Sequence, residues 1–460
     1  MSANEQLSAL LREAGFLDRD GSVGRKRFAR AVTAMAARRG LTREYTHTYV
    51  SRWINGTVPR DAETRACILQ ALGERLGREV HPDEVGFAGA SISPDVGLTY
   101  PDGVAESAST LATLLQADLD QAGSVVASPV SPAAWSDASL SWLVGARSSS
   151  DDWPGTVGAS DVERIRQTRL TFAMLDNRFG GGHTRRALVS YLRDDLPRTL
   201  RATASSSVQQ QLFAASAEIT QLAAWSSYDV GHHGLAQRYF IQALALADAA
   251  DDRSLAASIL DAMSHQATYL GRFREAANLA RAAHLGTTSL GIPVLSAHFR
   301  VMEARALARL GDATGCDAAL SEATTQFERH STGDGPEWIQ YFDEAEFAAE
   351  LGHCHRDLGR PSAAIGWATR AVDGATGDYL RSDFFATMLL AQAQLDAGEV
   401  ESGCETALCA LDLGEELQST RCASYVGELR RRLPRFRGSR VLADFVEQAR
   451  TRRLWVQADQ

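Results

Sequence analysis

Nine cations, Arg25, Lys26, Arg27, Arg30, Arg38, Arg39, Arg43, Arg52 and Arg60, lie between Gly24 and Arg60, where the only acid is Glu44. That segment carries +8, while the whole chain carries −10, so the remainder sums to −18. A basic patch on an acidic chain suits a protein that touches phosphate with one end only, because the acidic remainder is repelled by the same polyanion. Within the patch, His47, Thr48, Ser51 and Arg52 have side chains that can meet base edges. Arg52 is the best guanine reader, since a guanidinium fork matches the two acceptors of that base. Arg25, Lys26, Arg27 and Arg43 suit backbone phosphates, which fix position without reading sequence. The competing reading is a surface helix with solvated arginines.

These groups need short helices to hold them. Glu5 to Phe16 places Leu7, Leu10, Leu11 and Phe16 at helical spacing, and Asp18 to Gly21 breaks it. A second helix is expected from Arg25 to Arg38, with Phe28, Ala31, Val32 and Met35 as its apolar stripe and Gly40 as its stop. A third is expected to begin at Thr46, a good N-cap, and to run to Ile54. Val50, Trp53 and Ile54 form its buried face and leave Thr48, Ser51, Arg52 and Asn55 outward. Asn55-Gly56 makes a turn, and Pro59 precedes a fourth helix from Ala62 to Leu72.

The run Tyr49-Val50-Ser51-Arg52-Trp53-Ile54-Asn55-Gly56-Thr57-Val58-Pro59 resembles the lambda-repressor-like (XRE) helix-turn-helix family, although Leu41 to Tyr45 makes a longer turn than that family usually has. Further along, the segment Ala71 to Phe87, the run Trp135-Ser136-Asp137-Ala138-Ser139-Leu140-Ser141-Trp142-Leu143, the stretch Asp176 to His183 and the run Met263 to Gly271 are similar to Streptomyces helix-turn-helix/TPR regulators of the NsdA type. The resemblance implies a sequence-specific transcription regulator acting in development, sporulation or antibiotic production. Its partner would be double-stranded DNA, bound as a homodimer. The single lysine, Lys26, among 47 basic residues fits a GC-rich actinobacterial genome.

Beyond the basic segment the sequence is periodic. Gly231, Gly271, Gly311, Gly359 and Gly398 follow one another at intervals of 40, 40, 48 and 39. Five residues after each glycine stands a small side chain (Ala236, Ala276, Cys316, Ala364, Gly403), and twelve after it always alanine (Ala243, Ala283, Ala323, Ala371, Ala410). Seven before it stands another small residue (Ala224, Ser264, Ala304, Gly352, Ala391). This register resembles tetratricopeptide (TPR) repeats: small residues where paired helices approach and glycine at the turn, with a period longer than the usual 34 or so. Such units stack into a superhelix whose concave face binds a peptide, a protein or a small molecule. A helical layer from Val162 to Thr199 precedes the repeats, and one helix, Val441 to Trp455, caps them.

The expected organisation is therefore all-α: a helix-turn-helix domain over residues 1–89, a partly disordered helical connector over 90–160, and a TPR-like α-solenoid over 161–460. In the connector, Gly103 to Ala122 reads as a helix between polar segments Ser91 to Asp95 and Ser148 to Gly158, and Trp135, Trp142 and Trp153 require burial. Trp225, Tyr228, His265 and Gln266 are the candidate ligand-binding residues, with interlayer packing as the alternative. Gly180-Gly181-Gly182-His183 reads either as an anion-binding backbone nest or as a flexible turn. His353 and His355 point to different faces of a helix, so no metal ligand set is expected, and no cofactor either. Nucleotide-binding and hydrolase motifs are absent, so no catalytic residue is assigned. With no signal-peptide pattern at Met1 to Glu5 and no apolar run long enough to span a membrane, the expected location is the cytoplasm. The alternative function is a TPR scaffold that regulates a sigma or anti-sigma factor by protein contact.

Overall fold

The computed structural model describes residues 4–18, 20–39, 41–59, 62–78, 80–82, 84–87, 92–144, 157–202, 204–331, 333–377 and 379–458. Gly40, Arg60, Ser91 and Trp153, and most of the 148–158 stretch, lie outside the described residues. The described residues are all-helical, without strands; one isolated β-bridge pairs Leu17 with Val23. Contacts divide the chain into two units: residues 1–96 with 113–128, and residues 97–112 with 129–460.

The first unit contains α1 (Glu5–Glu13), α2 (Arg25–Arg38), α3 (His47–Ile54) and α4 (Ala62–Leu76). The boundary between the units runs through α5 (Val104–Leu119), and α6 (Gly123–Val126) returns to the first. Leu7, Leu11, Phe28, Val32, Val50, Trp53, Ile68 and Leu72 meet in one core, with Ile54 packed half-buried against it. Helix α1 ends at Glu13, three residues short of the expected Phe16, because Gly15 turns the chain at φ +70°. Phe16 nonetheless reaches the core, edge-on to Phe28. Thr46 stands at the N-cap of α3 with extended backbone, but its side chain makes no capping hydrogen bond. Asn4 is the working cap of this unit: its Oδ1 accepts from Leu7 N–H, and its Nδ2 donates to the Val85 carbonyl.

The second unit is a stack of helical hairpins. Helix α7 (Pro132–Val144) precedes α8 (Ala159–Phe179) and α9 (Gly181–Thr199). Five hairpins follow: α10 (Ser206–Asp229) with α11 (His233–Ala249), α12 (Arg253–Tyr269) with α13 (Phe273–Thr287), α14 (Pro293–Leu310) with α15 (Ala313–Arg329), α16 (Glu344–Asp357) with α17 (Pro361–Asp373), and α18 (Leu380–Ala397) with α19 (Val400–Leu413). Each of the five periodic glycines sits at the hairpin turn with φ between +69° and +89°. After each one, the next residue's N–H bonds back to a carbonyl five residues earlier, as His232 does to Ser227 at 2.9 Å. That is the helix-ending motif in which a left-handed glycine satisfies the last carbonyls. All fifteen small residues of the register are buried, and a Cβ on Gly403 would stand 2.8 Å from Leu395, so the spacing marks where helices touch. The longer interval of 48 arises between Arg329 and Glu344, where Ile339 and Phe342 are buried and Phe342 meets Phe327, Phe347 and His298.

Helices α20 (Thr420–Arg432), α21 (Arg440–Ala449) and α22 (Arg453–Gln457) follow, with α20 packed on α18 and α22, and α21 on α19. The single capping helix expected from Val441 to Trp455 is thus two helices, broken at Arg450 to Arg452. Gly438, 40 residues after Gly398 and at φ +94°, keeps the period, but Arg431 and Arg450 stand where the register calls for small residues.

Helix α7 packs on α11 and α13 within this unit. Trp135 and Trp142 are both buried, and Trp142 lies under the Arg253 guanidinium at 5.0 Å. The ring fits only because position 286 has no side chain: a Cβ on Gly286 would lie 2.0 Å from it. Gly286→Ala is expected to push Trp142 out and to cost about 1–3 kcal/mol, typical of overpacking. Thermal denaturation and a red-shifted tryptophan emission check this; an unchanged emission maximum would mean that α7 tolerates the methyl.

Candidate nucleic-acid interface and ligand cavity

In the first unit the predicted contact residues are accessible. Arg25, Lys26, Arg27, Arg43, His47, Thr48 and Arg52 are exposed, and Ser51 is half-buried. Val50 and Trp53 turn inward on the opposite side of α3. Arg25 Nη1 donates to Ser51 Oγ at 3.2 Å, which brings the start of α2 beside the outer face of α3. Arg43 is tethered through Nη1 to Thr64 Oγ1 at 3.4 Å, and Arg27 through Nη1 to the Leu17 carbonyl. Arg38 and Arg39 are engaged by Glu74 and Glu63, on the far end of α2.

The first turn of α2 holds Arg25, Lys26 and Arg27 and no acid. A helix N-terminus carries partial positive charge, so three cations there oppose local stability, by a few tenths of a kcal/mol each. The same arrangement gathers Arg25, Lys26 and Arg27 at the positive end of a helix, where an anion is favoured, with the Arg25 and Arg27 backbone N–H groups already bonded to the Val23 and Gly24 carbonyls.

In the second unit Trp225, Tyr228 and His265 come together. Trp225 lies 5.6 Å from Tyr228 and 5.4 Å from His265, ring to ring, and Tyr228 Oη is 3.1 Å from His265 Nδ1. Of the four sequence candidates only His265 lines a cavity; Tyr228 and Gln266 are fully buried behind it, with Gln266 Nε2 donating to the His233 carbonyl. The cavity, of about 510 Å³, is walled by residues from α12, α14, α16, α20 and α22. Its charged lining is Arg305, Arg309, Arg356, Arg421, Arg431 and Glu428. The sequence reading missed these arginines. A signal exists for Arg305 alone: it holds the position six before a turn glycine, as Trp225, His265, His353 and Gln392 do.

The array is drawn together behind this cavity. Asp229 is buried and accepts from Gly181 N–H at 3.0 Å and Ser419 Oγ at 2.8 Å, with Arg381 at 3.5 Å and Arg421 at 3.9 Å. Asp176 pairs with Arg381 at 2.7 Å and accepts from Ser226 Oγ. Gly182 N–H donates to the Gln418 carbonyl, and a Cβ on Gly180 would stand 2.7 Å from that carbonyl. The glycine run is therefore a close-approach site whose Gly181 amide holds the chain's own carboxylate.

Burial holds His353 well below the ordinary histidine range, with Arg305 and Arg356 pushing the same way. Burial, with Arg421 and Arg305, does the same to His265. Burial takes His233 down to about 4. A base with a depressed folded pKa stays neutral when folded and binds a proton when unfolded. Its stability contribution is therefore full above the unfolded value near 6.5 and falls as pH drops toward the folded value. Glu346, raised to about 7 by burial and Glu350, Glu218, raised by burial, and His298, raised by Asp261 against its own burial, work in the opposite direction, but His284 and His355, both lowered by burial, add to the first set, making three groups against five. The expected result is a melting temperature that falls between about pH 6.5 and 4.5, and falls less in His353→Gln. An equal fall in that variant would remove His353 from the account.

Residues 7–88 match the family model described as the SP15 N-terminal domain, a span that takes in most of α1 and all of α2 to α4. Comparison with curated proteins gives no match. Among the described residues no helix is long and apolar enough to cross a membrane.

Proposed function

We propose that this chain is a sequence-specific DNA-binding transcription regulator. In this reading α1 to α4 form a lambda-repressor-like helix-turn-helix head, with α3 as the recognition helix, and the hairpin array is a TPR-type sensing body. The observation that carries it is the clustering of Arg25, Lys26 and Arg27 in a helix turn that electrostatics disfavours, beside the outer face of α3 with its half-buried Ser51 and exposed Arg52. Stability alone selects acids at that turn; a phosphate backbone selects cations. Arg52 and Ser51 then reach base edges while α2 is anchored on the backbone.

A homodimer follows from the same reading, since two-fold related heads read two half-sites about one helical turn or a multiple of it apart. Leu140 and Val144 on α7 are 56% and 80% exposed and Leu285 on α13 is 68% exposed, and these helices pack together. These exposed apolar side chains support protein contact through the body, either with a second copy or, in the scaffold reading, with a sigma or anti-sigma factor. The resemblance to the NsdA-type regulators supports control of development or secondary metabolism from a cytoplasmic location, without an enzymatic step.

Genomic footprinting of the full chain tests the proposal. Discrete sites with a shared half-site support it. Association only through another protein, with no retention on naked duplex at low salt, overturns it in favour of the scaffold.

A further inference from the structure

Arg421 is 7% exposed, and its side chain makes no hydrogen bond among the described residues. Its guanidinium is flanked by the rings of Tyr228 and Phe385, each at 4.7 Å, and its nearest carboxylate, Asp229, stands at 3.9 Å. Its Nε–H is buried without a partner, and so are Arg305 Nε and Thr268 Oγ1, all on cavity-lining side chains. Arginine keeps its charge at any working pH, so this group cannot escape the cost of burial by losing a proton. A buried guanidinium with idle donors beside a cavity calls for an acceptor from outside the chain.

The other arginines define the acceptor. Arg305 is held by Glu350, and Arg356 by Asp357, by Gln392 and, at 4.0 Å, by Glu428 of the cavity wall itself. Arg305, Arg356 and Arg421 all act on the Tyr425 phenol: burial raises it, and the three charges pull against that rise. Arg305, Arg356 and Arg421 line one cavity together with Tyr425, and Arg309 and Arg431 stand on the same wall. One carboxylate would answer one of them. A phosphate monoester brings close to two charges and three acceptor oxygens. The volume of about 510 Å³ suits a small molecule. An extended peptide is disfavoured, because α20 and α22 supply part of the wall and Tyr269 Oη is bonded across to Ser424 Oγ at 2.7 Å.

We infer that the cavity bounded by α12, α14, α16, α20 and α22 is a binding site for a phosphate-bearing small molecule, with Arg421 as its buried anchor and Arg305, Arg356 and Arg309 around it. This deepens the sensing role proposed above and rests on that reading for its regulatory meaning; the binding itself does not require DNA.

The test uses the full chain and inorganic pyrophosphate, followed by calorimetry, with citrate as the carboxylate comparison. The Arg25→Ala/Lys26→Ala/Arg27→Ala variant removes binding at the basic head. Pyrophosphate is expected to bind the cavity of this variant as tightly as that of the parent, any weaker binding at the head being lost, and to bind Arg421→Gln about 10- to 100-fold more weakly. Should Arg421→Gln misfold, Arg309→Gln, on the exposed rim, keeps the test open with a smaller loss in the same direction. No pyrophosphate binding by the parent, or binding unchanged in both cavity variants, overturns the site. Citrate binding as tight as pyrophosphate overturns the phosphate assignment. Loss of binding only in the head variant assigns the anion to the head and also overturns the site. A chain that binds pyrophosphate in the cavity yet ignores duplex DNA keeps this site and loses the regulator reading, so the two failures are separable.

Discussion

The Arg25→Ala/Lys26→Ala/Arg27→Ala chain should hold duplex DNA with a salt dependence shallower by about 2–3 in the log–log slope, because each phosphate contact contributes about 0.9. Its preference among sequences should be nearly intact, since these residues position the head without reading bases. Arg52→Ala should behave in the complementary way, losing about 1–3 kcal/mol on the preferred site and little on random duplex. Filter-binding or fluorescence anisotropy over a range of salt concentrations separates the two. All four residues are exposed, so neither change removes core packing, and circular dichroism should be unaltered. A slope and a site preference that both stay at parental values would take α2 and α3 out of any groove.

Asp229→Ala is expected to be the most damaging single substitution in the second unit, at about 3–5 kcal/mol. It removes the acceptor of Gly181 N–H and of Ser419 Oγ, and leaves Arg381 and Arg421 with less opposing charge in a site with almost no solvent. Asp229→Asn keeps a hydrogen-bond acceptor and loses the charge, so it should fall between the alanine variant and the parent. Urea unfolding of the three proteins measures the order. An alanine variant within about 1 kcal/mol of the parent would mean that water replaces the carboxylate without loss.

The helical register was readable because glycine at a left-handed turn and small residues at helix crossings are each tied to one geometric demand, repeated five times with the same offsets. The outward face of α3 was readable for a similar reason: Val50 and Trp53 leave only one side for Ser51 and Arg52. The cavity was not readable in the same way. Arg305, Arg356 and Arg421 hold different register positions, and Arg421 sits in the segment around Gly438 whose register is broken at Arg431 and Arg450. Nor does spacing announce the meeting of Asp176 with Arg381, since their separation depends on the curvature accumulated over all the hairpins between them. The missing cap at Thr46 shows a smaller limit: residue type permits a capping bond, but the side chain's rotamer decides it.

The bond from Gln418 N–H to the Phe179 carbonyl and the pairing of Asp176 with Arg381 fasten the beginning of the array to its end. An open row of repeats frays from its tips, and its outer members exchange amide protons long before the middle does. A row fastened into a loop has no tips. Its hairpins should exchange protons with nearly uniform slowness and melt in one transition, and cutting the clasp should restore gradual unravelling from both sides.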